Sequence, residues 1–290
     1  MAKACFILGL AFICAIVSFA FAPPPASWIV GTATLVVTTA LFVWAIFRVN
    51  SSFWIETLWR SRRPSRAVAL TFDDGPDASF TPRVLHILAE KHVPATFFVV
   101  GERAARHPDL IRRAHDMGHA IGNHSHTHSL RFHFHHGNGL QREIGACNDA
   151  IRSAIGLEPR LFRSPQGLKT PALGDVLRAR GMAAIGWQVR GMDYVFRDPK
   201  RIARRIVEGA VDGGVLLLHD GGGFQGSMDR SATIRALPLV IDGLRARGFT
   251  FLRVDELFGV AAYHPERAGR EAPGPVGRLA RLWVRRGAPG

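Results

Sequence analysis

Two rhythms of apolar residues divide the chain. Near the N-terminus, residues 5–22 (CFILGLAFICAIVSFAFA) and 28–47 (WIVGTATLVVTTALFVWAIF) carry no charge. At a helical rise of about 1.5 Å per residue, each run is long enough to cross a hydrocarbon core of about 30 Å. The PPPAS stretch between them, Pro23 to Ser27, cannot continue a helix, so the pattern predicts two transmembrane helices joined as a hairpin. A cleaved leader competes, because Lys3, an apolar run and Ala20-Phe21-Ala22 resemble a signal sequence with its cleavage site. Pro23 at that scissile bond and the second apolar run directly after it favour the hairpin.

From Arg66 onward, short apolar runs alternate with helical patterns. Strands are predicted at AVALTFDD (67–74), ATFFVVG (95–101), HAIGNH (119–124), RLFRS (160–164), AAIGWQV (183–189), GVLLLHD (214–220) and FTFLRV (249–254). Between them fall helices over 82–92, 108–118, 140–155, 173–181, 199–210 and 237–248. In the first of these Leu85, Leu88 and Ala89 keep the spacing of a buried helix face. Strict alternation of strand and helix predicts an α/β fold with a parallel sheet, most simply a barrel of seven repeats. The chain then divides into a membrane part (1–50), a basic juxtamembrane linker (51–66), a catalytic-sized domain (67–258) and a basic Pro/Gly/Arg-rich tail (259–290) read as disordered.

Charge orients this arrangement. The hairpin loop has no positive residue, whereas Arg48, Arg60, Arg62, Arg63 and Arg66 follow the second apolar run. By the positive-inside rule, the soluble domain faces the cytoplasm from the inner membrane, with a periplasmic placement as the alternative. The net charge of +14 lies on that cluster, on helix faces and in the tail, without interleaved aromatics, so no nucleic-acid partner is expected. An anionic membrane surface accounts for the same charge. Cys5, Cys14 and Cys147 form no spaced framework and predict no disulfide scaffold.

The polar clusters fall at or just after the C-terminal ends of the predicted strands: Asp73-Asp74, His124 to His128, Arg163 to Gln166, Asp193 and His219-Asp220. In a βα-barrel those ends converge on one face, where the active site lies. His124 and His128 are four residues apart and can present both imidazoles on one side. With a carboxylate from the first strand end they make a His2Asp set, the pattern of a catalytic rather than a structural metal site. A cation would also let two adjacent carboxylates stay ionised, provided that Gly75-Pro76 turns both toward one cavity.

TFDDGP, His124-Ser-x-x-His128, FRSPQG (162–167), WQVRGMDY (187–194) and LLLHD (216–220) resemble the five ordered motifs of the NodB-homology polysaccharide deacetylases, carbohydrate esterase family 4, across residues 66–258. The resemblance implies a distorted (β/α)7 barrel and a metal-dependent hydrolase that removes an N-acyl group, acetyl or formyl, from an amino sugar. It implies Asp73 as general base, Asp74, His124 and His128 as metal ligands, Arg163 orienting Asp73, and His219 as general acid tuned by Asp193. The Gln166 backbone N–H would help to bind the oxyanion, and the cation would be Zn2+, with Co2+ or Ni2+ as alternatives. Two positions depart from the family pattern: Gln166 replaces an aromatic residue, and Arg190 stands where Asp opens the fourth motif. Both bear on substrate choice. Trp187 is a candidate for the sugar site or for the core.

A cytoplasmic domain would meet a lipid-linked saccharide or glycan precursor. A periplasmic one would meet peptidoglycan or exopolysaccharide. A carbohydrate- or lipid-binding protein that keeps the fold without catalysis is the rival of another class, disfavoured by retention of both Asp73 and His219. RFHFHHG (131–137) and GGGFQG (221–226) are read as mobile rims of the cleft.

Overall fold

A computed structural model describes residues 2–21, 23–63, 65–222 and 228–265. Of the tail expected over 259–290, residues 266–290 lie outside the described residues, as does most of the GGGFQG rim, whereas 259–265 pack on the domain, with Ala262 buried and Tyr263 bonded to the Ile121 N–H. Two helices open the chain, α1 (Ala2–Phe21) and α2 (Ala26–Phe47), with the break at Pro23 to Pro25, and they pack on each other. Among the described residues only α2 is both long and apolar enough to cross a membrane; in α1 the qualifying apolar stretch is the shorter Gly9–Ser18. Among the described residues, then, one helix has spanning length and apolarity, and the other predicted span, over 5–22, is not confirmed.

Among the described residues nine strands form the sheet: β1 (Thr57–Leu58), β2 (Ala67–Asp73), β3 (Thr96–Val99), β4 (Ala120–Asn123), β5 (Leu161–Phe162), β6 (Ala183–Ile185), β7 (Val189–Arg190), β8 (Val215–His219) and β9 (Thr250–Phe251). Their order is β1-β6-β5-β4-β3-β2-β8-β7, with β9 beside β2, and every ladder is parallel. The period of two is clearest in β2. Val68, Leu70 and Phe72 face the layer of helices, while Ala67 and Ala69 face the hollow of the sheet with Phe98, Leu161 and Val215. Both faces are buried, which is why the run reads as continuously apolar. The helix Val254–Phe258 plugs the hollow with Val254 and Leu257.

The sheet curls into a half-barrel rather than closing as seven even repeats. The run 183–189, predicted as one strand, splits: β6 lies near one end of the sheet and β7 at the other. Gly186 to Gln188 carries the chain across the seam, with the Gly186 N–H donating to the Leu58 carbonyl (2.9 Å) and the Gln188 N–H to that of Val215 (2.7 Å). A side chain at Gly186 would place its Cβ 3.0 Å from Thr57 Cγ2, so the crossing is tight for anything larger than glycine.

The stretch read as a juxtamembrane linker belongs to the domain. Trp54 and Ile55 are buried, and with Phe42, Ala45 and Ile46 of α2 they join a cluster containing Phe132, Phe162 and Leu173. β1 then covers the outer edge of β6. The buried Lys169 ammonium donates to the carbonyls of Val49 (2.7 Å) and Ser51 and to Thr57 Oγ1 (3.3 Å). Burial pushes its pKa down to about 8. Arginines at 60, 62, 63 and 66 dominate the composition of this stretch and mask its short apolar core.

Candidate active site

Asp73 ends β2 and pairs in register with His219 of β8. Register partners on neighbouring strands project to the same face, so the two side chains stand side by side at the mouth of the hollow. Asp74 would point to the other face in an extended strand. A positive φ of 72° turns it back into the same cavity. A residue there other than glycine is uncommon, and Gly221 sits so close behind it that a Cβ would collide with the Asp74 carbonyl.

The Asp74 carboxylate meets both predicted imidazoles. His128 Nε2 lies 3.1 Å and His124 Nε2 3.5 Å from Asp74 Oδ1. The three donor atoms fall within 4.8 Å of one another, and all three residues are buried. His124 Nδ1 is 2.8 Å from the Arg163 carbonyl. A carbonyl only accepts, so Nδ1 carries the proton and the Nε2 lone pair is left for a cation, the usual backing of a metal-bound histidine. One carboxylate and two imidazoles suit a Zn2+, Co2+ or Ni2+ ion. Burial pushes the Asp74 carboxyl up, but the facing imidazoles of His124 and His128, with His219 beyond them, hold it well below the usual carboxylate range. It is ionised and ready to ligate.

Arg163 anchors Asp73. It is fully buried, its Nη1 donating to Asp73 Oδ1 (2.6 Å) and Thr71 Oγ1 (2.8 Å) and its Nη2 to the Gly186 carbonyl (3.0 Å). The guanidinium carbon lies 4.1 Å from the centre of the Phe98 ring. Across the cleft, His219 Nδ1 is 2.8 Å from Asp193 Oδ1. The other Asp193 oxygen accepts the His219 N–H (2.9 Å) and the Thr233 hydroxyl (2.8 Å). Burial alone would lower the His219 pKa; the charge and hydrogen bond of Asp193 overcome it and raise it to about 9. Asp220 supports the strand end, accepting from the Thr81 hydroxyl (2.6 Å) behind Gly75, and burial pushes it up to about 7.

The remaining predicted residues divide. Gln166 is exposed at the tip of its turn, with a left-handed φ of 52°, and its Oε1 lies 3.0 Å from His133 Nε2. Trp187 is buried: its ring lies where a Gly167 side chain would go, so it supports the Gln166 turn from beneath rather than offering a face to the cleft. Arg190 is half-buried over the Tyr194 ring, 5.7 Å from its centre. The segment read as a mobile rim over 131–137 is pinned. Leu130–Phe134 forms a 3-10 helix whose Phe132 is buried, packed near Phe162 with ring centres 6.2 Å apart.

Four supporting residues escaped the sequence reading. Glu143 accepts from the backbone N–H groups of His126 (3.1 Å) and Thr127 (3.0 Å), and Asn123 Oδ1 from that of Ser125 (2.8 Å). Together they shape the turn that aims His124 and His128. Arg230, fully buried, donates to the Gly221 carbonyl (2.6 Å) and lies 3.9 Å from Asp74. Thr233 holds Asp193. No motif marks these four; Asn123 ends the strand just before His124, and Glu143, Arg230 and Thr233 act from segments distant in sequence.

Residues 60–185 match the family model described as polysaccharide deacetylase. A peptidoglycan-N-acetylglucosamine deacetylase of Bacillus cereus is 33% identical over 201 residues, 69% of this chain and 91% of that protein. A chitooligosaccharide deacetylase of Bradyrhizobium is 38% identical over 192 residues, 64% of this chain and 87% of that protein. The crystal structure of a peptidoglycan N-acetylglucosamine deacetylase bound to a naphthalenyl N-hydroxybenzamide superposes with a TM-score of 0.66 at 26% identity, covering 71% of this chain and 94% of the other.

Proposed function

We propose, from the premise that this chain belongs to the polysaccharide deacetylase family and is a carbohydrate deacetylase, that it hydrolyses the N-acetyl group of a membrane-associated amino sugar. One observation carries the reading: the Asp73–Arg163 and His219–Asp193 pairs stand in register on neighbouring strands beside the Asp74, His124, His128 cluster. Binding a sugar alone would require neither pair.

Asp73 takes a proton from the attacking water, held in place by Arg163 and free to accept through its second oxygen. The Gln166 N–H, turned by its left-handed backbone, offers a donor to the oxyanion. His219, protonated at Nε2 and oriented through Nδ1 by Asp193, gives its proton to the departing nitrogen. The products are a free amino sugar and acetate. A dication held by Asp74, His124 and His128 would supply Lewis acidity and a lowered pKa for water.

The substrate class follows the relatives, which are named for N-acetylglucosamine polymers and oligomers. The end of the apolar helix α2 is rooted in the domain core, which favours a lipid-linked saccharide over a free polymer. The arginines after α2 favour a cytoplasmic face. A reporter fused after Pro265 tests the orientation. The activity test is acetate release from N-acetylated chitooligosaccharide by the full-length protein in detergent, abolished by chelation and restored by Zn2+. Asp73→Asn is expected to lose about 10²–10⁴-fold in kcat while binding the cation at unchanged stoichiometry. Full turnover without the Asp73 carboxylate would refute the assignment.

The pH dependence has a definite sign. The acid form of His219 is the active one, and its pKa is raised to about 9. A neighbouring dication lowers it from there. The alkaline limb of kcat is therefore expected at or below about pH 9. Asp193→Asn removes the negative partner, so that limb should move to lower pH in a kcat–pH profile.

A further inference from the structure

Outside the two N-terminal helices, the large apolar side chains exposed among the described residues are Leu130 (62%), Phe134 (79%), Tyr194 (38%), Val195 (53%) and Leu239 (45%). All but Leu239 lie on two loops flanking the cleft. One follows His128 of the metal cluster. The other follows Asp193, and its Tyr194 ring stands edge-on to His219 at 6.1 Å. A protein surface seldom gathers its apolar side chains at one place without a partner.

The first of these loops is tied to the domain. Ser129 Oγ accepts the Arg131 N–H (3.1 Å), Phe132 is buried, and His133 is bonded to Gln166. Leu130 and Phe134 are thus held outward. Phe132 also shares its cluster with Phe42, Ala45 and Ile46 of α2, and the Ile46 carbonyl accepts the Lys169 N–H (3.2 Å). The apolar helix therefore enters the domain beside the cleft, with no spacer between them. Trp44 and Arg48, stacked with 5.7 Å from the guanidinium carbon to the ring centre, are the residue types that anchor a span at the headgroup level.

We propose that the rim of the cleft is a bilayer-docking surface: Leu130 and Phe134 on one side, Tyr194 and Val195 on the other, seat among the headgroups and upper acyl chains of the membrane that α2 crosses. The inference rests on the reading of α2 as a span and deepens the proposed function, because a cleft seated this way takes its amino sugar from the headgroup layer. Phe134 and Tyr194 could instead stack on a sugar ring. Leu130 and Val195 have no such face, and the continuity of the rim with α2 selects lipid.

The test uses the full chain with Cys5→Ala and Cys14→Ala, leaving the buried Cys147. Leu130→Cys, Phe134→Cys, Val195→Cys, Leu239→Cys and Leu35→Cys are labelled singly with a polarity-sensitive fluorophore. Each is reconstituted in phosphatidylcholine–phosphatidylglycerol vesicles with or without lipid brominated high on the acyl chain. Labels at 130, 134 and 195 are expected to be quenched about twofold or more, and the label at 239 not at all. Quenching at the rim no greater than at 239 overturns the proposal. So does an unquenched rim whose emission shifts with soluble N-acetylated chitooligosaccharide, the signature of a sugar platform. The label at 35 reports separately whether α2 enters the bilayer, and acetate release from a soluble oligosaccharide reports separately on the deacetylase reading.

Discussion

Replacing His124 with alanine is expected to remove the bound cation and to reduce N-deacylation to the level of a chelated sample. Asp74, His124 and His128 are the cluster of converging metal donors among the described residues, so the loss of one leaves two of that set. Two donors do not make the site of three protein ligands that catalytic zinc uses. The fall should exceed the about 10²–10⁴-fold of a lost acid or base, because Lewis acidity and water activation disappear together. Elemental analysis of the purified variant, beside turnover, checks it. His136→Ala is the control: it alters an exposed histidine of the same loop outside the cluster and should keep cation and rate. A His124→Ala protein that retains both would dissolve the site assignment.

That prediction uses residues legible from the chain alone. The doublet Asp73-Asp74 and the pair His124/His128 stood out because like charges and imidazoles at strand ends have few structural reasons to be there. Arg163, Asp193 and His219 also lie at strand ends, and their roles came from the resemblance; the structure puts Arg163 in contact with Asp73 and Asp193 in contact with His219. The alternation of strand and helix was legible because tertiary burial and local pattern agree, as in β2 and β8.

What escaped reading did so for identifiable physical reasons. Strand β1 is two residues long and lies among arginines, so neither periodicity nor composition marks it. The split of 183–189 into β6 and β7 depends on the curl of the whole sheet, which no local window contains. The helix Ser231–Ala246 begins well before its predicted start, because Pro238 reads as a first-turn proline and lies inside the helix instead. Gly101–Arg106 is a helix too short for a hydrophobic period to register. The loop around Phe132 was read as mobile because its three histidines and arginine mask the fact that one of its two phenylalanines, Phe132, is buried.

Arg163→Met is expected to cost about 3–5 kcal/mol of stability, because it strands a carboxylate in a buried site. For a domain of this size the midpoint of thermal unfolding should fall by about 2–4 °C per kcal/mol. The loss is compound. The Arg163 side chain also satisfies the Thr71 hydroxyl and the Gly186 carbonyl at the seam of the half-barrel, where the ladder is interrupted. A methionine fills the space over Phe98 but donates nothing. The part due to charge can be separated from the part due to the seam by adding Asp73→Asn, which removes the stranded carboxylate and leaves the seam uncapped. Asp73→Asn should then cost less stability in the Arg163→Met background than in the native one, with a coupling of about 0.5–3 kcal/mol read by chemical denaturation. Additive losses would mean that Arg163 holds the seam and is indifferent to Asp73. The buried ion pair would then be a consequence of the fold, with no part in aiming the base.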